Sequence, residues 1–197
     1  MPSMWDERFA EEGFAYGDSP NEFLASVAHR IPPGPVLCIC EGQGRNAVYL
    51  ASLGHDVTAH DGSAVGLRRA SELAKARGVR LNTVCCDLAE LDLGVHQWSA
   101  VVSIFAHAPS ELRRKVHASL QAALRPGGVF VLEAYAPAQA ARDTGGPKDR
   151  DLLMDADEIR AELVGLTVLS CRELIRPVVE GRYHTGDAVV TQVLATA

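Results

Sequence analysis

Apolar residues recur along this chain in two rhythms, short continuous runs and one-sided helical stripes, and their alternation predicts a parallel α/β sheet. Residues 36–40 form an apolar run behind the Pro32-Pro33-Gly34-Pro35 stop, as a buried strand does. A helix is predicted over 46–53, closed by Gly54, and a second strand over 56–60. Ser63 can cap a helix with Leu67, Ala70 and Ala74 on one face, closed by Gly78. A third strand follows over 80–86 and a fourth, nearly all apolar, over 100–106. Ser110 reads as the cap of a helix with Leu112, Val116, Leu120 and Leu124 on one stripe, and Pro126-Gly127-Gly128 turns into a fifth strand over 129–135.

Both ends depart from this rhythm. Residues 4–9 fit a short helix, and Asp18-Ser19-Pro20 offers a cap and a first-turn proline for a second helix through His29. Residues 142–148 (Arg-Asp-Thr-Gly-Gly-Pro-Lys) read as a mobile surface loop. Asp155 and Glu158 look like a capping pair for a helix through Leu163. Strands over 166–175 and 188–195 have only glycine-containing connections between them. No crossover helix fits there, so they should pair antiparallel. The expected architecture is α/β, a seven-stranded, mostly parallel sheet with helices on both faces and an antiparallel C-terminal hairpin, in one domain over 1–197.

Composition narrows the function. Of 197 residues 47% are hydrophobic, enough for one large core, so disorder is excluded. The net charge of −6 repels phosphate backbones and argues against a nucleic-acid partner. No apolar stretch nears the roughly 20 residues of a membrane span, and no basic segment leads into an apolar run as in a signal peptide. A cytoplasmic protein with no membrane partner, monomer or homodimer, is expected. The five cysteines are an odd count, which suits reduced thiols. Cys38 and Cys40 face the same way on their strand, but no His/Cys set at zinc-like spacing accompanies them. They read as buried thiols, and no metal is expected.

Three strand tips carry candidate chemistry. Gly42 and Gly44 lie between the first strand and its helix, where missing side chains let a ligand approach the backbone and the helix N-terminus favours an anionic group. A plain strand-to-helix turn is the alternative. Asp61 ends the second strand and can accept hydrogen bonds from both hydroxyls of a ribose; alternatively it opens the Asp61-Gly62-Ser63 turn. Asp87-Leu88 ends the third strand. The acid can take an adenine amino group and the leucine pack on the ring, or Asp87 is a solvated turn acid. Open parallel sheets bind ligands at such carboxyl ends. Gly42 to Ala47 also fits the Gly-x-Gly-x-x-Gly/Ala fingerprint of dinucleotide enzymes, which leaves an oxidoreductase as an alternative.

Taken together, the loop at Glu41-Gly42-Gln43-Gly44-Arg45-Asn46-Ala47, Asp61, Asp87-Leu88 and Leu124-Arg125-Pro126-Gly127-Gly128 resemble class I S-adenosylmethionine-dependent methyltransferases. Trp5-Asp6-Glu7-Arg8-Phe9, Tyr16-Gly17, Pro20-Asn21, Phe23-Leu24, Ser103-Ile104-Phe105-Ala106-His107 and the tail from Glu180 to Gly186 are similar to the tellurite-resistance (TehB-like) branch. The resemblance implies a Rossmann-like core over 35–197 and an N-terminal helical lid segment over 1–31. It implies S-adenosylmethionine as cofactor, S-adenosylhomocysteine as product and a small-molecule acceptor, a thiol or a chalcogen oxyanion. Gly42, Gly44, Arg45 and Asn46 would meet the methionyl part, and Asp61, Gly62 and Ser63 the ribose. Asp87 and Leu88 would hold the adenine, and Phe105 and Ala106 would line the methionine side. The family usually has an acid where Cys38 stands and a glycine where Cys40 stands, so Glu41 is the expected substitute for that acid. His107 is the leading candidate for a base or substrate contact, with Tyr16 as a stacking or closing residue and His184 on the hairpin as a further candidate. Each has a packing alternative, and a non-catalytic cofactor-binding protein also fits. Arg176 and Arg182 read as solvated arginines or as attractors of an anionic acceptor.

Overall fold

The computed structural model describes residues 3–197. In chain order the helices are α1 (Met4–Ala10), α2 (Glu22–Val27), α3 (Arg45–Ser52), α4 (Ala64–Ala76), α5 (Ser110–Ala123) and α6 (Ala156–Glu162). The strands are β1 (Pro35–Ile39), β2 (Asp56–Asp61), β3 (Asn82–Cys85), β4 (Trp98–Ile104), β5 (Leu124–Tyr135), β6 (Thr167–Glu180) and β7 (His184–Thr196). They form one sheet in the order β3-β2-β1-β4-β5-β7-β6. The first five are parallel, while β7 runs antiparallel to both β5 and β6. The fold is Rossmann-like, and the two-residue period of the strands divides its core. Val36 and Cys38 face a cluster with Leu24, Leu50 and Leu67; Leu37 and Ile39 face another with Leu120, Ile159 and Leu163. Among the described residues no helix is long and apolar enough to cross a membrane.

Several boundaries differ from the sequence reading for identifiable reasons. Asn21, not Asp18-Ser19-Pro20, caps α2, by accepting from the Leu24 N–H. Pro109 precedes α5, so Ser110 is the first helical residue and not the cap. Leu124 leaves that helix for β5, and the buried stripe of α5 is Arg113, His117, Leu120 and Ala123. Arg113 and His117 are buried because both meet Glu162 of α6. Asp155 caps α6 as expected, but the Glu158 carboxylate pairs with Arg113 instead of closing a box. Strand β3 is shorter than predicted and exposed along its length. The hairpin is much longer than predicted, because β6 and β7 stay paired up to Glu180 and His184. Residues 142–148 form a surface loop, as expected, with Asp143, Gly146 and Lys148 exposed. A Cβ on Gly146 would lie 2.5 Å from the Tyr135 ring, so this loop packs on the end of β5.

Candidate active site

The carboxyl ends of the parallel strands open onto a cavity of about 620 Å³. Two of those ends are bent sharply. Cys40, after β1, and Phe105, after β4, hold left-handed φ values of 52° and 53°, uncommon for residues with a side chain. His60 supports the first bend. Its Nε2 lies 3.0 Å from the Cys86 carbonyl, leaving Nδ1 to face the Cys40 N–H at 3.5 Å. Burial, together with Asp61, Asp87 and Glu41 nearby, pushes the Cys40 thiol up to about 12, so Cys40 is not a thiolate nucleophile.

Of the residues singled out in the sequence, Tyr16, Glu41, Gly42, Gly44, Arg45, Asn46, Asp61, Gly62, Asp87, Leu88, Phe105, Ala106, His107 and His184 all line this cavity. Ser63 lies behind it, capping α4 through the Gly66 N–H and donating to Asp6 of α1 at 2.6 Å. Asp61 is 7% exposed and accepts from the Gly42 N–H and the Ser63 N–H, both at 2.8 Å. Each oxygen therefore keeps a free lone pair, and burial raises its pKa. Asp87 accepts from the Ala89 N–H, which sets it at the cavity edge beside Leu88.

The helix N-terminus is already occupied. Glu41 Oε1 accepts from the Asn46 N–H and the Ala47 N–H, each at 2.8 Å, so the anion favoured by this turn is the chain's own carboxylate. Arg45 turns away to pair with Glu180 at 2.6 Å. The expected anion cradle is thus corrected to a neutralised one whose free acceptor is Glu41 Oε2. Burial pushes the Glu41 carboxyl up to about 7, against the Ala47 N–H and Arg45, which lower it. The glycines also serve the protein. A Cβ on Gly44 would sit 2.5 Å from Ala70 Cβ, and one on Gly42 would sit 2.7 Å from the Phe9 ring.

The opposite end is a box of rings. His184 lies 4.7 Å from Tyr16, 4.5 Å from Phe105 and 5.3 Å from Tyr135 between centroids, and His107 stacks on Tyr135 at 5.6 Å. His107 Nδ1 lies 2.7 Å from the Leu152 carbonyl, so it carries the proton and Nε2 is unprotonated. Burial holds His107 at about 4. Tyr16 accepts from Arg8, whose guanidinium lies over the Trp5 and Tyr183 rings. Segment 3–17 straps across the cavity. Asp6 fastens it to Ser63 on one side; on the other, the Arg182 N–H donates to the Ala15 carbonyl and the Tyr183 hydroxyl donates to Glu11. Arg182 thereby belongs to the strap contact, with its side chain bridging to Glu11 at 3.2 Å.

Beneath the box lies a charge network invisible to hydropathy. Arg176, only 11% exposed, is held between Glu133 and Glu180 and is not solvated. Asn21 donates to both acids and Gln192 to Glu133. Burial opposes ionisation of Glu180, but His184, Arg45 and Arg176 outweigh it and hold its carboxyl at about 2. Tyr135, Glu180 and Arg8 were not singled out as site residues in the sequence. The Glu180-x-x-x-His184 spacing across a glycine turn was the signal available for Glu180.

Residues 36–128 match the family model described as a methyltransferase domain. The chain is 32% identical over 134 residues to glycine/sarcosine N-methyltransferase of Halorhodospira halochloris, covering 66% of this chain and 47% of that protein. It is 37% identical over 97 residues to tRNA 5-carboxymethoxyuridine methyltransferase of Escherichia coli K12, covering 48% and 37%. The chain thus spans less than half the length of these curated relatives. Among solved structures, TehB from Haemophilus influenzae superposes with a TM-score of 0.72 at 20% identity, over 89% of this chain and 62% of that one. A structure described as "Conversion of a Disulfide Bond into a Thioacetal Group during Echinomycin Biosynthesis" superposes with a TM-score of 0.75 at 22% identity, over 97% and 87%. At these identities the structural likeness is one of fold.

Proposed function

We propose, from the premise that residues 36–128 form a methyltransferase domain on a class I, Rossmann-like fold, that this chain transfers a methyl group from S-adenosylmethionine to a small thiol. The observation that carries the reading is the two-ended cavity, with carboxylates on strand tips at one end and a closed ring box at the other. The residues fit the cofactor. Asp61 has one free lone pair on each oxygen for ribose hydroxyls, and Asp87 with Leu88 suits an adenine. Glu41 Oε2 is free to accept from an ammonium group, the part assigned elsewhere in the family to an acid at the position of Cys38. When bound, the cofactor supplies an electrophilic methyl group on a sulfonium. The protein's share is orientation and electrostatics.

A sulfur acceptor suits the aromatic box around His184. Arg45 and Arg176 are already paired with Glu180 and Glu133, whereas Arg8 donates to the neutral Tyr16 hydroxyl and keeps its charge at the strap side of the cavity. The strap and the net charge of −6 disfavour an RNA acceptor. The five free thiols suit a reducing compartment, the cytoplasm.

Calorimetry with S-adenosylhomocysteine, followed by mass spectrometry of thiols incubated with S-adenosylmethionine, tests the proposal. Binding with methyl thioether formation is expected; absence of binding overturns it.

A further inference from the structure

We infer, resting on the methyl-transfer reading, that Glu180 and His184 form a proton-accepting site for the thiol. His184 takes the proton and Glu180 sets its ring. Glu180 and His184 are cross-strand partners at the closed end of the β6–β7 hairpin, joined by the turn at Gly181, which has a φ of 68°. A Cβ on Gly181 would lie 2.4 Å from the Ala15 carbonyl, so the strap clamps this turn. The Glu180 carboxylate is held by Arg45, Arg176 and Asn21, and its Oε2 lies 3.5 Å from His184 Nδ1. That distance is too long for a made hydrogen bond and short enough to become one, as base–orienter pairs do once substrate is bound. His184 Nδ1 and the Tyr135 hydroxyl are the buried side-chain atoms without a hydrogen-bond partner among the described residues. Both are sealed: Nδ1 is left for Glu180 to satisfy, and the Tyr135 hydroxyl is covered by Gly145, on which a Cβ would lie 2.8 Å from it. His184 Nε2 also has no hydrogen-bond partner among the described residues and is not among the sealed orphans, and His184 lines the cavity.

His107 does not fill this role as well. Its Nδ1 is spent on the Leu152 carbonyl, and its Nε2 faces the Tyr135 N–H at 3.5 Å. The charged and titratable groups around His184 are Glu180 and Arg176 of β6, Arg45 of α3, Tyr16 of the strap, Tyr135 of β5 and His107 after β4. Burial lowers the pKa of His184, Glu180 raises it, and the two arginines lower it. The ring is therefore neutral, and a base, at pH 7.

The step balances. The thiol S–H bond breaks, its proton goes to Nε2, and its electron pair stays on sulfur. That pair becomes the new S–CH3 bond, while the pair of the broken bond stays on the cofactor's sulfur, which ends neutral. The imidazolium, stabilised by Glu180, then passes its proton to water.

The test needs no turnover. Protein saturated with S-adenosylhomocysteine is titrated with hydrosulfide, dithiothreitol and benzyl mercaptan, and thiolate is read by its ultraviolet absorbance near neutral pH. With at least one of these, thiolate is expected in excess of that in buffer, falling about tenfold in His184→Gln, which removes the base. Glu180→Gln should move the His184 titration, read by NMR, to lower pH. If Glu180→Gln does not fold, His184→Gln decides, because it leaves the other partners of Glu180 in place. Excess thiolate with none of the three probes, or thiolate undiminished in His184→Gln, overturns the inference while S-adenosylhomocysteine still binds. Loss of that binding in the wild type counts against methyl transfer itself.

Discussion

Replacing Glu41 by glutamine should stabilise the free protein and weaken its hold on the cofactor. The carboxylate sits on the first turn of α3 with both backbone bonds made through Oε1. Glutamine keeps an oxygen able to accept from the Asn46 and Ala47 N–H groups. What it removes is the cost of burying a charge, which raises the Glu41 carboxyl from its ordinary 4.5 to about 7. At 1.36 kcal/mol for each tenfold change in proton affinity, that corresponds to about 3 kcal/mol. The sign follows from linkage. A carboxyl whose pKa is higher folded than unfolded binds its proton more tightly when folded, so its contribution is favourable at low pH. Stability is lost as pH rises from about 4.5 to about 7 and is flat above. Glu41→Gln should therefore exceed the wild type near pH 8 by up to about 3 kcal/mol, a rise in Tm of roughly 6–12 °C for a chain of this size. The gap should close near pH 4.5, where the wild-type carboxyl is protonated as well. Thermal unfolding of both proteins across that range reads the difference directly. In the same variant the affinity for S-adenosylhomocysteine should fall by about tenfold or more, the loss of one charged hydrogen bond. Wild-type affinity should rise with pH through about 7 as Glu41 ionises. A Tm difference that is independent of pH, or of opposite sign near pH 8, would refute the reasoning.

Three other perturbations probe separate parts of the structure. Asp61→Ala should cost about 1.5–3 kcal/mol of S-adenosylhomocysteine binding by calorimetry, as expected for hydrogen bonds to a charged group; unchanged affinity removes Asp61 from the site. Gly44→Ala places a Cβ 2.7 Å from Ala70 Cα at a φ of 89°. Chemical denaturation should show a loss of about 2–4 kcal/mol from overpacking and left-handed strain together, and a loss below 1 kcal/mol would mean that α4 moves away freely. Glu162→Ala leaves the Arg113 side chain, 2% exposed, without its buried partner and His117 without its acceptor. A cost of about 3–5 kcal/mol is expected; wild-type stability would show that the pair contributes nothing net.

What the sequence disclosed and what it concealed divide along physical lines. The order of strands and helices was legible because parallel strands buried on both faces are continuous apolar runs, and their covering helices carry one apolar stripe. The proposed cofactor end was legible for a related reason: Gly42, Asp61 and Asp87 each stand at or just past a strand end, so locating the strand locates the residue. Strand ends were read less well. Cys40 and Phe105 take left-handed conformations that their side chains disfavour, and local preference fails at such strained positions near a site. The hairpin was read short because Arg176, Glu180, Arg182, His184 and Asp187 look like a solvated turn. Arg176 and Glu180 are buried only through each other, Arg45 and Glu133, partners far away in sequence. Arg113 and His117 were missed on α5 for the same reason, since Glu162 lies on another helix.

The two ends of the cavity therefore rest on different kinds of information. The cofactor end is built from strand tips and adjoining turns, where neighbouring residues fix one another. The acceptor end is built where the hairpin folds back on β5, from Tyr135, Glu180 and His184, which meet only when antiparallel pairing reaches its full length. A register shift of one residue in that pairing would turn His184 to the other face of the sheet and empty the box. The buried Arg45–Glu180 and Arg176–Glu133 pairs oppose such a shift, because each leaves an uncompensated charge if the register moves. The network beneath the box thus fixes the register of the hairpin, and with it the position of the ring proposed to receive the proton.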